Sequence, residues 1–239
     1  MKKLVLFFTT ILALSVTAQK SGKEIKGDKY FERYSFASAI EKYVEVKELT
    51  VDGKRKLAES YRNTNQIPKA KTAYEAFVNT SDATANDLFN YASILRLNGN
   101  YEESIVYLNK FKDKAPNDKR AISYVSNADQ LTNLHKDEGR YKIISLEVNT
   151  DHQDFGPAYF KQQIVFASTR QAAVSIKRSY NWNNLPFLDL YAADVDNGQL
   201  KDPVQLNKSL NAKLHDGPAS FNADGTLMAF TRNDPKTKS

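Results

Sequence analysis

The sequence has no cysteine. That removes disulfides, thiolate metal sites, a thiol nucleophile and a lipid-modified cysteine behind a leader. Histidine is scarce as well. His135, His152 and His215 lie far apart, with none at metal-ligand spacing, so no zinc site is expected. Gly-x-Ser-x-Gly, a Gly-rich phosphate loop and His-Glu-x-x-His are all missing. Asp151 and Asp154 flank His152, but a solvated strand entry explains them better than a bound cation. Neither catalytic residues nor a cofactor are expected. Lys and Arg outnumber Asp and Glu by 34 to 28, and the charges are mixed along the chain. Without a basic stripe, nucleic acid is not an expected partner.

The one strongly apolar run, LVLFFTTILALSV at 4–16, is too short for a membrane anchor, which needs about 18 apolar residues. It follows the basic MKK and precedes VTA at 16–18. This pattern predicts an export signal, residues 1–18, cleaved before Gln19. Loss of Lys2 and Lys3 would lower the formal charge from +6 to +4.

What is present is repetition. GDKYFERYSFASAIEKYVEV (27–46), AESYRNTNQIPKAKTAYEAF (58–77) and ASILRLNGNYEESIVYLNKF (92–111) align in phase. Each opens on a small residue (Gly27, Ala58, Ala92) and turns near Tyr34, Asn65 or Gly99. Each resumes on Phe36, Ile67 or Tyr101, then places a small residue at Ala39, Ala70 or Ser104. An aromatic or Leu follows at Tyr43, Tyr74 or Leu108. Small residues let two antiparallel helices approach, and the large ones fill the space beside the crossing. One such hairpin cannot bury its apolar face alone, so copies stack. The pattern resembles the tetratricopeptide repeat, over residues 22–117; the first copy departs from it by carrying Tyr34 at the turn. A further helix is expected over 118–139, where Ala121, Tyr124, Val125, Ala128, Leu131 and Leu134 share one face as a solenoid cap requires.

The resemblance implies that first helices line a concave groove. By alignment Arg55, Arg62, Asn86 and Arg96 fall at groove-facing positions, where they would hold a carboxylate or acidic peptide. The alternative is solvated charge on exposed helix faces.

From 140 onward the pattern is β. Strands are expected over YKIISLEV (141–148), QIVFAST (163–169) and FLDLYAADV (187–195), with Asn197–Gly198 and Asp224–Gly225 as turns. GPAYF (156–160) recurs as GPASF (217–221), 61 residues later. This order is similar to blades of a TolB-like or WD-type β-propeller. It implies a first blade and the start of a second within 140–239, an incomplete propeller behind the α-solenoid. The long loop at 169–187 holds Tyr180 and the single Trp182; it is either a partner-binding surface or a decoration packed on the blade.

The module order resembles the N-terminal part of the OmpA-family envelope proteins of Bacteroidetes. That resemblance implies a periplasmic scaffold associated with the outer membrane, protein partners in the envelope, and peptidoglycan reached only through a further domain. An exported peptidase whose propeller gates a hydrolase domain is the rival expectation.

Overall fold

The computed structural model describes residues 19–126, 136, 139–170, 179–207 and 209–233. The expected export signal, the second half of the expected 118–139 helix and the middle of the 169–187 loop lie outside the described residues.

Seven helices come first: α1 (Gly22–Glu32), α2 (Phe36–Val44), α3 (Val51–Asn63), α4 (Ile67–Glu75), α5 (Ala85–Leu97), α6 (Tyr101–Lys114) and α7 (Lys119–Ser126). They form three helical hairpins and one further helix. The first helix of each hairpin starts at a side-chain cap. Ser21, Thr50 and Thr84 accept from the backbone N–H three residues on, and Thr84 completes a reciprocal capping box with Asp87. The three turns are copies of one another. Tyr34, Asn65 and Gly99 all take positive φ (57°, 59° and 81°). The next residue's N–H returns to the carbonyl five positions back, from Ser35 to Tyr30, Gln66 to Tyr61 and Asn100 to Leu95. This six-to-one bond closes a helix end by a Schellman motif. The first repeat therefore turns like the others despite its Tyr34.

Close approach within each hairpin explains the small residues. Ala58, Ala70 and Ala92 are fully buried, and Ser104 donates to the Ala92 carbonyl at 2.8 Å. In the first hairpin a Cβ at Gly27 would lie 2.6 Å from the Tyr43 ring, so only glycine fits there. Tyr74, Tyr91 and Tyr107 run through the core, linking the second and third hairpins to each other and to Ala121 of α7.

The strands are β1 (Asp154–Phe160), β2 (Gln163–Ser168), β3 (Asp189–Asp196), β4 (Gln199–Gln205), β5 (Asp216–Phe221) and β6 (Met228–Arg232). The first four make an antiparallel meander in the order β1-β2-β3-β4, and β5 pairs with β6. Asn197 and Gly198 both have positive φ, as a two-residue hairpin turn demands. No closed barrel or propeller is present among the described residues; the sheets are an antiparallel meander and a hairpin.

Residues 141–148 do not form a strand, against expectation. Tyr141, Ile143 and Ile144 are exposed, with Ile143 at 95%. Strand propensity acts through neighbours on a pleated surface, and no described strand pairs with this segment.

The four-stranded sheet is apolar on both faces. Val165, Ala167, Leu190 and Ala192 pack against Ala219, Phe221 and Phe230 of the β5–β6 hairpin. Ile164, Phe166, Tyr191 and Ala193 occupy the other face. Strand alternation is thus replaced by nearly continuous burial along β2 and β3.

The two Gly-Pro segments are equivalent bulges. Register shifts fall between Phe155 and Ala158 in one hairpin and between Asp216 and Ala219 in the other. They also touch. Gly156 has φ 64°, and a Cβ there would meet Pro218 at 2.5 Å. The rings of Phe160 and Phe221 sit 4.5 Å apart.

Candidate functional site

The first helices of successive repeats are joined side by side through charge. Lys56 Nζ lies 3.0 Å from both Asp28 and Asp52, and Lys20 Nζ bridges the same two carboxylates, tying α1 to α3. Burial pushes the Asp28 carboxyl up, but hydrogen bonds from Lys20, Tyr43 and Lys56 outweigh it and hold the group below its ordinary value.

Arg55 ties α3 to α5. Its Nε donates to both Asp87 oxygens at 3.0 Å, and its terminal nitrogen donates to the Asp82 carbonyl at 3.0 Å. Asp87 is 1% exposed, so this is an ion pair at a helix junction. Asn86 accepts from Arg120 of the α7 helix at 3.0 Å. Arg120 also stacks over Phe89 and Phe111. Of the four expected groove residues, these two are engaged within the array.

Arg62 and Arg96 differ. They occupy the same position in adjacent repeats, each in the last turn of its helix. Arg96 is exposed. The Arg62 Nε is buried and has no hydrogen-bond partner among the described residues. Beside it, burial raises the Glu59 carboxyl, and the Arg62 charge acts in the opposite direction. The surface therefore offers cations at two successive repeat positions. Neighbouring packed helices are spaced about 8–10 Å apart.

Trp182 binds the helical module. Its indole N–H donates to the Asn63 carbonyl at 2.8 Å, and its own carbonyl accepts from Ala37 N at 3.2 Å. Its ring meets Phe36 edge-on at 4.7 Å and lies nearly parallel to Tyr34 and Tyr180. Tyr180 in turn meets His215 edge-on at 4.6 Å. The described end of the loop is a clasp that seats the sheet on the first two repeat turns. The indole thus packs on the helices and is not a decoration lying on the sheet.

The sequence reading missed a pair of clamps. Arg170 donates to Asp154 at 2.8 Å, and Arg232 to Asp216 at 2.7 Å. Asp154 accepts from Thr150 N and Asp216 from Ala212 N, four residues earlier in each case. Asp154 is thus not a solvated strand entry. Burial raises its carboxyl, and bonds from Arg170, Ser168 and Thr150 more than reverse this, leaving it below its ordinary value. The signal was available, because both Asp and Arg recur at a spacing of 62 residues.

Among the described residues there is no group of three or more His, Cys, Asp or Glu able to hold a metal ion, and no helix long and apolar enough to cross a membrane. The tetratricopeptide repeat family model matches residues 55–81 and 88–118, the second and third helical hairpins. No curated protein matches the sequence.

Proposed function

Since the chain carries tetratricopeptide repeats, modules that engage other proteins, we propose that it is a non-enzymatic interaction scaffold whose helical face takes an acidic segment of a protein partner. The observation that carries this is the pair Arg62 and Arg96. The ladder of charge along the first helices engages Arg55 and Asn86, whereas Arg62 and Arg96 have no bonded carboxylate among the described residues. Guanidinium groups bind carboxylates bidentately, and placement at successive repeats suits an extended chain.

The setting is the periplasm, in association with the outer membrane, following the export pattern of residues 1–18. The β module is the first part of a propeller. Three features support this: a meander apolar on both faces, a second hairpin repeating its bulge and clamp, and a strand-like segment at 141–148 without a partner strand. A sheet with two apolar faces needs a neighbour on each. The resemblance to OmpA-family proteins of Bacteroidetes adds a link to peptidoglycan through a further domain.

The test is affinity capture from envelope fractions with wild type and with Arg62→Glu/Arg96→Glu. The proposal expects a discrete envelope protein to be retained by wild type and lost from the double variant, with capture weakened by salt. Equal capture by both proteins overturns it.

A further inference from the structure

Between the clasp and the repeat turns lies a cleft of about 570 Å³, within the range of about 300–1,000 Å³ for small-ligand sites. One wall is the turn after α3, with Asn63 and Asn65. The opposite wall is the segment ahead of β1, with Asp151, His152 and Gln153. Tyr180 and Trp182 complete it. We propose that this cleft binds a neutral saccharide.

The chemistry of the walls carries the proposal. Among the described residues no Lys or Arg lines the cleft and Asp151 is the single carboxylate, so the described lining offers neutral polar groups and no cation to pair with phosphate or an acidic peptide. The side chains of Asn63, Asn65, Asp151, His152 and Gln153 make no hydrogen bond to another described residue. They therefore present a mixed set of amide donors, amide carbonyls, an imidazole and a carboxylate. Sugar hydroxyls are each donor and acceptor, and match such a set. The aromatic wall supplies the apolar complement. The indole N–H of Trp182 is already bonded to Asn63 O and its ring lies beside Tyr34 and Tyr180, so the aromatic wall meets a ligand through ring edges, an apolar rim for the C–H groups of a sugar. His215 is held in one tautomer, because its Nδ1 accepts from Leu188 N at 3.1 Å; its remaining N–H can serve a hydroxyl. A polar peptide would also meet the amides, but its own backbone donors and acceptors need a strand edge or helix end, and the lining is side-chain rich.

Trp182 is the only tryptophan, so its fluorescence reports on the cleft directly. The full chain is titrated with chitotriose, with maltotriose and with the peptide Gly-Asn-Gly. The expected result is a saturable change with at least one sugar at or below about 1 mM, the weak end of specific affinity. The sugar that works distinguishes an N-acetylated glycan from a plain glucan. Asn65→Gly keeps the positive φ of the turn while removing the amide. Combined with Gln153→Ala, it is expected to weaken binding at least tenfold with an unaltered circular dichroism spectrum. Absence of any saturable change with both sugars overturns the proposal. So does a double variant that folds and binds like wild type, or a response to the tripeptide equal to that of the sugars.

Discussion

Replacing Trp182 with alanine should release the sheet from the helices while leaving each folded. The indole is half-buried, edge-on to Phe36 at 4.7 Å and hydrogen-bonded to Asn63 O at 2.8 Å. Truncating a fully buried Phe or Trp costs about 3–5 kcal/mol. Half of that, with about 1 kcal/mol for the hydrogen bond, gives roughly 2.5–3.5 kcal/mol. The docking equilibrium should thus shift by about 70- to 370-fold. The backbone bond from Ala37 N to the 182 carbonyl survives the change and is too weak to hold the modules alone. Small-angle scattering should show a larger radius of gyration, and limited proteolysis should cut faster within 179–187. Trp182→Phe keeps one six-membered ring and loses the five-membered ring with its N–H, so its effect should fall between the two, above the ~1 kcal/mol of the hydrogen bond alone. Scattering and proteolysis of Trp182→Ala indistinguishable from wild type would refute the clasp.

Three other outcomes follow from named contacts. Gly27→Ala gains about 1 kcal/mol of helix propensity but forces a methyl onto the Tyr43 ring, which its hydroxyl bond to Asp28 at 2.8 Å holds in place. Overpacking costs about 1–3 kcal/mol, so thermal denaturation should show a net loss near 1 kcal/mol, about 4–8 °C for a module of this size. Arg232→Ala should destabilise the β module more than Arg170→Ala in urea titration, because it leaves the fully buried Asp216 with only the Ala212 N–H, whereas Asp154 is 12% exposed and keeps its bonds from Ser168 and Thr150. Adding Asp216→Ala to Arg232→Ala should restore part of the loss, since the unpaired buried carboxylate is removed with it. Acidification should loosen the clasp through His215. Burial lowers its folded pKa, against the raising effect of Asp216. Its stabilisation is complete above the unfolded value of about 6.5 and is lost as pH falls through the lower folded one. A pH titration of Trp182 fluorescence should show that step, and His215→Gln should remove it.

The repeated positions that define the helical hairpins were legible because they obey local rules. A small residue at the crossing, a cap and a left-handed turn each act within one hairpin. Tyr34 looked like a defect because a bulky residue at positive φ carries strain. Its ring lies against Phe36 and Trp182 while the residue stays largely exposed, and Trp182 lies far along the chain. The clasp was illegible for the same reason, since Trp182 and Asn63 are 119 residues apart. Arg55 was read as a groove residue because its repeat position is right. Its partner Asp87 belongs to the next repeat, and single-repeat reasoning does not see across that boundary. The segment 141–148 has strand composition, yet a strand exists only with a partner, and composition does not supply one. The Asp–Arg clamps recur at equal spacing, but each joins residues 16 apart across a hairpin, a pairing that spacing alone does not reveal.

The most direct measurement of the scaffold reading is photocrosslinking by face. A benzophenone side chain is placed at Ser93 on α5, one turn before Arg96, and, in a second protein, at the exposed Val106 on α6. The account predicts a discrete protein adduct from position 93 in envelope extracts, suppressed by Arg62→Glu, and none from position 106. Equal adducts from both faces, or an adduct at 93 indifferent to Arg62→Glu, would contradict it.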